Sequence, residues 1–150
     1  MYSKKSFVII CLVILSALLV TGCLPTTTVT TPEEFFNFDS ATGTITGYDI
    51  AGGLDVFIPS TIGRVAVEHI GIDAFLEKYL TSVIIPDSVT SIDYLAFYNN
   101  QLTSITIGSG VAIEESLDTM GTNLAFKTVY DDGGKIAGTY NYTGGVWVKV

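Results

Sequence analysis

The sequence predicts a β-rich solenoid, with short strands and helical turns stacked in about three repeats and a β-hairpin closing one end. Three observations carry this. A unit of 22 residues occurs almost twice: Leu80-Thr81-Ser82-Val83-Ile84-Ile85-Pro86-Asp87-Ser88-Val89 is matched by Leu102-Thr103-Ser104-Ile105-Thr106-Ile107-Gly108-Ser109-Gly110-Val111. Within each unit, apolar residues two apart (Val83 and Ile85, Ile105 and Ile107) share one face of a strand. Near residue 144, Thr143-Gly144-Gly145 separates two alternating segments, which is a hairpin signal.

Self-similarity at this period is the signature of leucine-rich-repeat stacking, in which one unit is too small to bury its own apolar face. Leu80, Val83 and Ile85 follow the L-x-x-L-x-L spacing of a repeat strand, and Leu102, Ile105 and Ile107 repeat it. Pro86 has no N–H for a ladder bond and should end the strand. Val89 and Ile92 then turn inward on the next side of the coil. Asp93 to Tyr98, containing Ala96-Phe97, is expected to form one helical turn, with Asn99-Asn100 providing a left-handed exit. A looser copy precedes these two. Ile58-Pro59-Ser60-Thr61-Ile62 aligns with Ile85 to Val89, and Ile70 and Ala74-Phe75 align with Ile92 and Ala96-Phe97. Between them five extra residues, Gly63 to Val67, predict a bulge or widened turn.

The pattern IPxSVTSIxxxAFxxNxLTSITI, Ile85 to Ile107, resembles the BspA-like leucine-rich-repeat family of bacterial surface proteins. The resemblance covers roughly Phe38 to Val111. It implies a non-enzymatic, protein-binding or adhesion-type module whose partner is a host or bacterial surface protein. The third unit departs from the pattern, with Asp118 and Thr119 where Ala and Phe are expected, so repeat pairing should fade after Val111.

Residues 1–22 read as a signal peptide. Lys4 and Lys5 precede an apolar run of 14 residues, Phe7 to Val20, and Val20-Thr21-Gly22-Cys23 follows. A membrane-spanning helix needs about 20 apolar residues, so this run is short for one. Val20 to Cys23 resembles the lipobox of bacterial lipoproteins. That resemblance implies cleavage before Cys23 and attachment of diacylglycerol to its sulfur. Each buried acyl methylene contributes about 0.8 kcal/mol, so two or three chains anchor the protein lastingly. Cys11 would leave with the signal, so the mature chain has neither a disulfide nor a thiol for metal or catalysis. No other cofactor is expected. Residues 23–34 combine this cysteine with a Thr/Pro-rich segment, Leu24 to Glu34, expected to be an extended tether about 34 Å long. The resulting localisation is the cell envelope, lipid-anchored and surface-exposed.

The remaining boundaries follow from the ends of the stack, whose strand edges need covers. Residues 35–53, with Phe36-Asn37-Phe38 and Gly43 to Tyr48, are the expected N-terminal cap. Residues 54–119 carry the repeats. Residues 120–150 form a C-terminal cap: a short helix over Leu124 to Tyr130, stopped by Asp131-Asp132-Gly133-Gly134, then the hairpin. Tyr140, Tyr142 and Trp147 give the hairpin a large apolar content. A sealing role is favoured over a carbohydrate-stacking platform.

Charge and motifs exclude several functions. The formal charge is −8, and loss of Lys4 and Lys5 takes it to about −10, which disfavours nucleic acid. His69 is the only histidine and has no cysteine or placed carboxylate beside it. The acidic pairs Glu33-Glu34, Glu114-Glu115 and Asp131-Asp132 lie in linker and turn contexts, and Asp131 to Gly134 reads as a turn rather than a Ca²⁺ loop. P-loop, G-x-S-x-G and H-E-x-x-H motifs are missing. A glycan-acting enzyme would need two carboxylates across a cleft, which nothing in the sequence places.

The candidate binding surface is therefore the outward side of the repeat strands. Residues between the inward positions align into two columns: Asp55, Ser82, Ser104, and Phe57, Ile84, Thr106. An apolar pair, Phe57 and Ile84, rimmed by Ser, Thr and Asp fits a small recognition patch, although strand propensity alone also favours such residues. The alternative to adhesion is a structural or envelope-assembly scaffold. A monomer is expected.

Overall fold

The computed structural model describes residues 30–114 and 125–150. The signal segment, Cys23 and positions 118 and 119 lie outside them. The chain starts with a single 3-10 turn, Glu33–Phe35, and a hairpin of strands β1 (Phe36–Asp39) and β2 (Thr44–Tyr48). The first coil holds β3 (Asp55–Phe57), a small hairpin of β4 (Thr61–Ile62) and β5 (Val65–Ala66), and β6 (His69–Ile70). The second coil holds β7 (Ser82–Ile84) and β8 (Ser91–Ile92). The third holds β9 (Ser104–Ile107) and β10 (Ala112–Ile113). Helix α1 (Ala125–Asp132) and the hairpin of β11 (Gly138–Thr143) and β12 (Val146–Lys149) complete the order. The fold is a leucine-rich-repeat solenoid of about three turns.

Each coil contributes one strand to each of two sheets. One sheet has the order β1-β2-β6-β8-β10, and the other β12-β11-β9-β7-β3. Successive coils pair in parallel, as a solenoid requires, and the two end hairpins pair internally in antiparallel fashion. The N-terminal hairpin extends the first sheet and the C-terminal hairpin extends the second, so opposite sheets are lengthened at opposite ends.

In-register pairing puts like residues on like. Ile45, Ile70, Ile92 and Ile113 stand opposite one another along the first sheet. Val56, Val83, Ile105 and Tyr140 do so along the second. All eight are buried. Between the sheets runs an aromatic ladder: Tyr48 lies 5.2 Å from Phe75, and Phe75 stacks on Phe97 at 4.8 Å and 6°. Such ring pairs add about 0.5–1.5 kcal/mol each beyond their area burial. Val89 and Ile92 point inward as the spacing predicts.

The third side of the coil departs from expectation. Residues 93 to 98 form linked turns, not a helical turn. Leu95 and Asn99 have φ of 53° and 56°, and Asp73 and Glu77, 22 positions earlier, have φ of 57° and 55°. Left-handed residues interrupt a right-handed helix. They also turn backbone groups along the solenoid axis, so that the N–H groups of Asp73, Phe75 and Glu77 donate to the carbonyls of Tyr94, Ala96 and Tyr98 at 2.7–3.2 Å. The third side is thus a cross-coil ladder too.

Asn99 makes the left-handed exit expected of it, whereas Asn100 has a different role. Its side chain is only 1% exposed. Oδ1 accepts from the N–H groups of Lys78 (3.1 Å) and Leu80 (2.9 Å) in the coil before. Nδ2 donates to the carbonyls of Phe75 (2.8 Å) and Phe97 (2.7 Å). One amide brackets two coils.

The five-residue insertion is the β4–β5 hairpin. Gly63 and Arg64 have φ of 56° and 73°, the positive pair that a two-residue type I′ turn demands. It raises the spacing of Asp55 and Ser82 to 27 residues and leaves the pairing in register. The tether ends earlier than residue 34. Thr31 is buried; its N–H donates to the Phe57 carbonyl at 2.9 Å, and its Oγ1 accepts from the Phe57 N–H at 3.0 Å. Glu33 Oε2 accepts from Gly63 N–H at 3.0 Å. This segment covers the open edge of β3.

Pairing continues past Val111. Ala112 and Ile113 stand opposite Ser91 and Ile92, because strand pairing depends on the backbone and on Ile113, not on the departures at 118 and 119. At the C-terminal end Phe126 meets Tyr140 and Trp147 edge-on at 5.4 and 5.2 Å. Tyr130 Oη donates to the Gly108 carbonyl and accepts from Val111 N–H at 3.1 Å. Tyr140 and Trp147 are buried, so these rings seal the stack and offer no stacking platform.

Truncating Asn100 leaves the part-buried N–H of Lys78 and the buried N–H of Leu80 without that acceptor. Asn100→Ala is expected to lower stability by about 3 kcal/mol in chemical denaturation. Asn99→Gly, at a left-handed exposed position, is expected to change it by less than about 0.5 kcal/mol.

Candidate binding face

The outward side of the second sheet carries all six residues that the sequence nominated. Asp55, Ser82 and Ser104 are consecutive Cα partners, as are Phe57, Ile84 and Thr106. Strand alternation fixes this: Val56, Val83 and Ile105 between them point inward, so their neighbours point out. The docked hairpin lengthens both columns. Asn141 stands opposite Ser104 and Thr139 opposite Thr106, with Thr106 and Thr139 hydroxyls 2.8 Å apart. Val148 then stands opposite Asn141, and Val150 N–H donates to the Thr139 carbonyl.

The six residues are not equally available. Ile84 is 38% exposed, while Phe57 is half-buried and its backbone is held by Thr31. Asp55 is exposed but already engaged: its Oδ1 accepts from Thr81 Oγ1 at 2.6 Å and from Ser82 Oγ at 2.7 Å. The Thr81 bond first, then the Ser82 bond, hold its carboxyl below the usual carboxylate range. These hydroxyls come from the next coil, so Asp55 also ties the columns across the coil boundary.

Elsewhere among the described residues, His69 and Asp131 make structural pairs. His69 stands opposite Ser91, with Nδ1 2.9 Å from Ser91 Oγ. Asp131 pairs with Lys127 and, at 3.6 Å, with Lys135 around the end of α1. The helix runs two residues past the end expected at Tyr130: Asp131 and Asp132 belong to α1, and only Gly133 and Gly134 turn. Among the described residues no group of three or more His, Cys, Asp and Glu stands ready to hold a metal ion.

Residues 57–127 match the family described as BspA type leucine-rich repeat region (6 copies). The match supports a BspA-type repeat. It begins at Phe57, inside the first coil, and runs past Val111 to residue 127, beyond the span that the sequence pattern suggested. No curated protein and no solved structure matches the chain. A leucine-rich-repeat family of this kind fits a protein-interaction module and is typically non-catalytic.

Sequence reading missed Thr139, Asn141 and the β12 valines of this face. The alternation in β11 and β12 was visible. Which strand they dock on was not, because an antiparallel return to β9 is a tertiary choice.

Because the folded-state pKa of Asp55 is depressed, its stabilising bonds are fully present above the unfolded value of about 3.9 and are lost as pH falls through the lower folded value. A carboxyl-detected NMR titration should give Asp55 a midpoint below 3.9 by that reference. Replacing Thr81 by Val together with Ser82 by Ala should move it back toward the ordinary range.

Proposed function

We propose that the protein is a non-enzymatic lipoprotein of the bacterial cell envelope that binds another protein through the outward face of its β3–β7–β9–β11 sheet. The observation that carries this reading is the in-register alignment of the two columns. It arrays an apolar pair, Phe57 and Ile84, beside a hydroxyl- and amide-rich strip of Ser82, Ser104, Thr106, Thr139 and Asn141. Apolar contacts supply the affinity at such a patch, and short polar side chains set orientation with little side-chain entropy to lose.

The lipid anchor at Cys23 rests on the lipobox-like Val20-Thr21-Gly22-Cys23. A short tether from Cys23 to Thr31 would hold the domain near the membrane, displayed outward to host or bacterial surface proteins. The acidic charge fits a protein partner better than nucleic acid or an anionic lipid surface.

Phe57→Asp combined with Ile84→Asp tests the reading on intact cells. Both proteins should be cleaved by external protease, melt within a few degrees of each other and differ in capture. The wild type crosslinks a surface protein, and the double variant loses at least about tenfold of that yield, the effect of removing about 1.4 kcal/mol of contact energy. Equal capture by both proteins would refute the face. Protection from external protease would refute surface display and favour an internal scaffold role.

A further inference from the structure

The second sheet has two ends, and among the described residues only the one at β3 is covered. At β3, Thr31 takes up both backbone groups of Phe57. At β12 no described segment pairs with the outer edge. The register states which groups point there. Val150 N–H donates to the Thr139 carbonyl, and Val148 and Val146 alternate with it, so these three valines direct their backbone groups to β11. The N–H and C=O groups of Trp147 and Lys149 therefore face the open edge.

These open groups are symmetric about Val148. The segment Val146-Trp147-Val148-Lys149-Val150 reads Val-x-Val-x-Val in both directions. An antiparallel copy placed along the edge sets Trp147 opposite Lys149, each exchanging two backbone hydrogen bonds. It also sets Val148 opposite Val148 and Val146 opposite Val150. The three valines already lie on the outward face and are exposed by 56, 48 and 74%. In the pair they would meet as one continuous valine row, which is a favourable cross-strand arrangement.

A lysine on an edge strand ordinarily guards it against such pairing. Lys149 does not: its side chain lies back over β11, where a Cβ on Gly138 would come within 2.5 Å of Lys149 Cε. Among the described residues the edge is thus open in its backbone groups, apolar on its outward side and self-complementary in register.

We infer that β12 is a homodimerisation strand, pairing antiparallel with β12 of a second copy about a two-fold axis through Val148. The two sheets then join into one of ten strands, and the two outward faces lie side by side. The expected monomer would be the dissociated form. The inference concerns assembly alone and stands whether or not the face binds a foreign protein.

Val148 falls at a non-hydrogen-bonded pair, where Cα atoms approach to about 4.5 Å, within the range a disulfide spans. The test uses the full chain in detergent with Cys11 and Cys23 replaced by Ser. Under mild oxidation Val148→Cys should form a covalent dimer at least about tenfold faster than the exposed control Ser109→Cys, because pairing raises the effective thiol concentration. Lys149→Pro removes one N–H that faces the open edge and none that faces β11, a placement that sheets tolerate. Added to Val148→Cys it should return the rate to that of the control while leaving the near-UV circular dichroism unchanged. Oxidation of Val148→Cys no faster than Ser109→Cys would overturn the inference. So would an undiminished rate in the Lys149→Pro background.

Discussion

Stacking in register is the constraint on which everything else in this molecule depends. A 22-residue coil has two strands of two to four residues and one side of turns. Its inward residues, such as Val83, Ile85, Ile92 and Phe97, have no partner within the coil large enough to bury them. They are buried because the coils on either side place Val56, Ile58, Ile70 and Phe75, then Ile105, Ile107 and Ile113, against them. The same register that aligns the inward residues aligns the outward ones, since the strand period is two. The outward columns are thus a consequence of how the core is built. A one-residue slip would turn Ile84 inward and Val83 out, ending both core and face.

Three coils leave two ends, and the ends take up much of the chain. At one, Phe36 and Tyr48 continue the Phe75–Phe97 ladder, and Thr31 covers β3. At the other, Phe126, Tyr130, Tyr140 and Trp147 form a compact aromatic cluster over the last coil. The hairpin does two things there. Tyr140 extends the inward column beyond Ile105, and Asn141 and Thr139 extend the outward ones. A sealed end and a longer face come from the same six residues of β11.

What the sequence disclosed follows the physics of local signals. The period, the inward positions and both outward columns were legible because repetition with strand alternation fixes them without knowledge of the rest of the fold. The C-terminal hairpin was legible from Gly144-Gly145, whose φ values of 62° and 91° suit a tight turn. The β4–β5 hairpin was half legible: Gly63 marked a turn, but nothing about Arg64 announces a left-handed residue. The third side misled for the same reason, since Leu95 is a good helix former held at positive φ by cross-coil hydrogen bonds. Thr31 sits in a Thr/Pro-rich stretch, and its docking on Phe57 spans 26 residues. Asn100 looked like a turn residue because its acceptors and donors lie mostly one coil away.

Coils and caps form one cooperative unit held by in-register stacking. Native-state hydrogen exchange across a denaturant series tests it most directly. The N–H groups of Ile58, Phe75, Ile85, Asp93 and Tyr142 each cross a boundary between neighbouring layers of the stack, at 2.7–3.0 Å. All five should exchange only through global unfolding, with one free energy and one denaturant slope. Exchange of Ile58 and Phe75 through a smaller opening, with Tyr142 still protected, would show that the first coil opens alone and would contradict it.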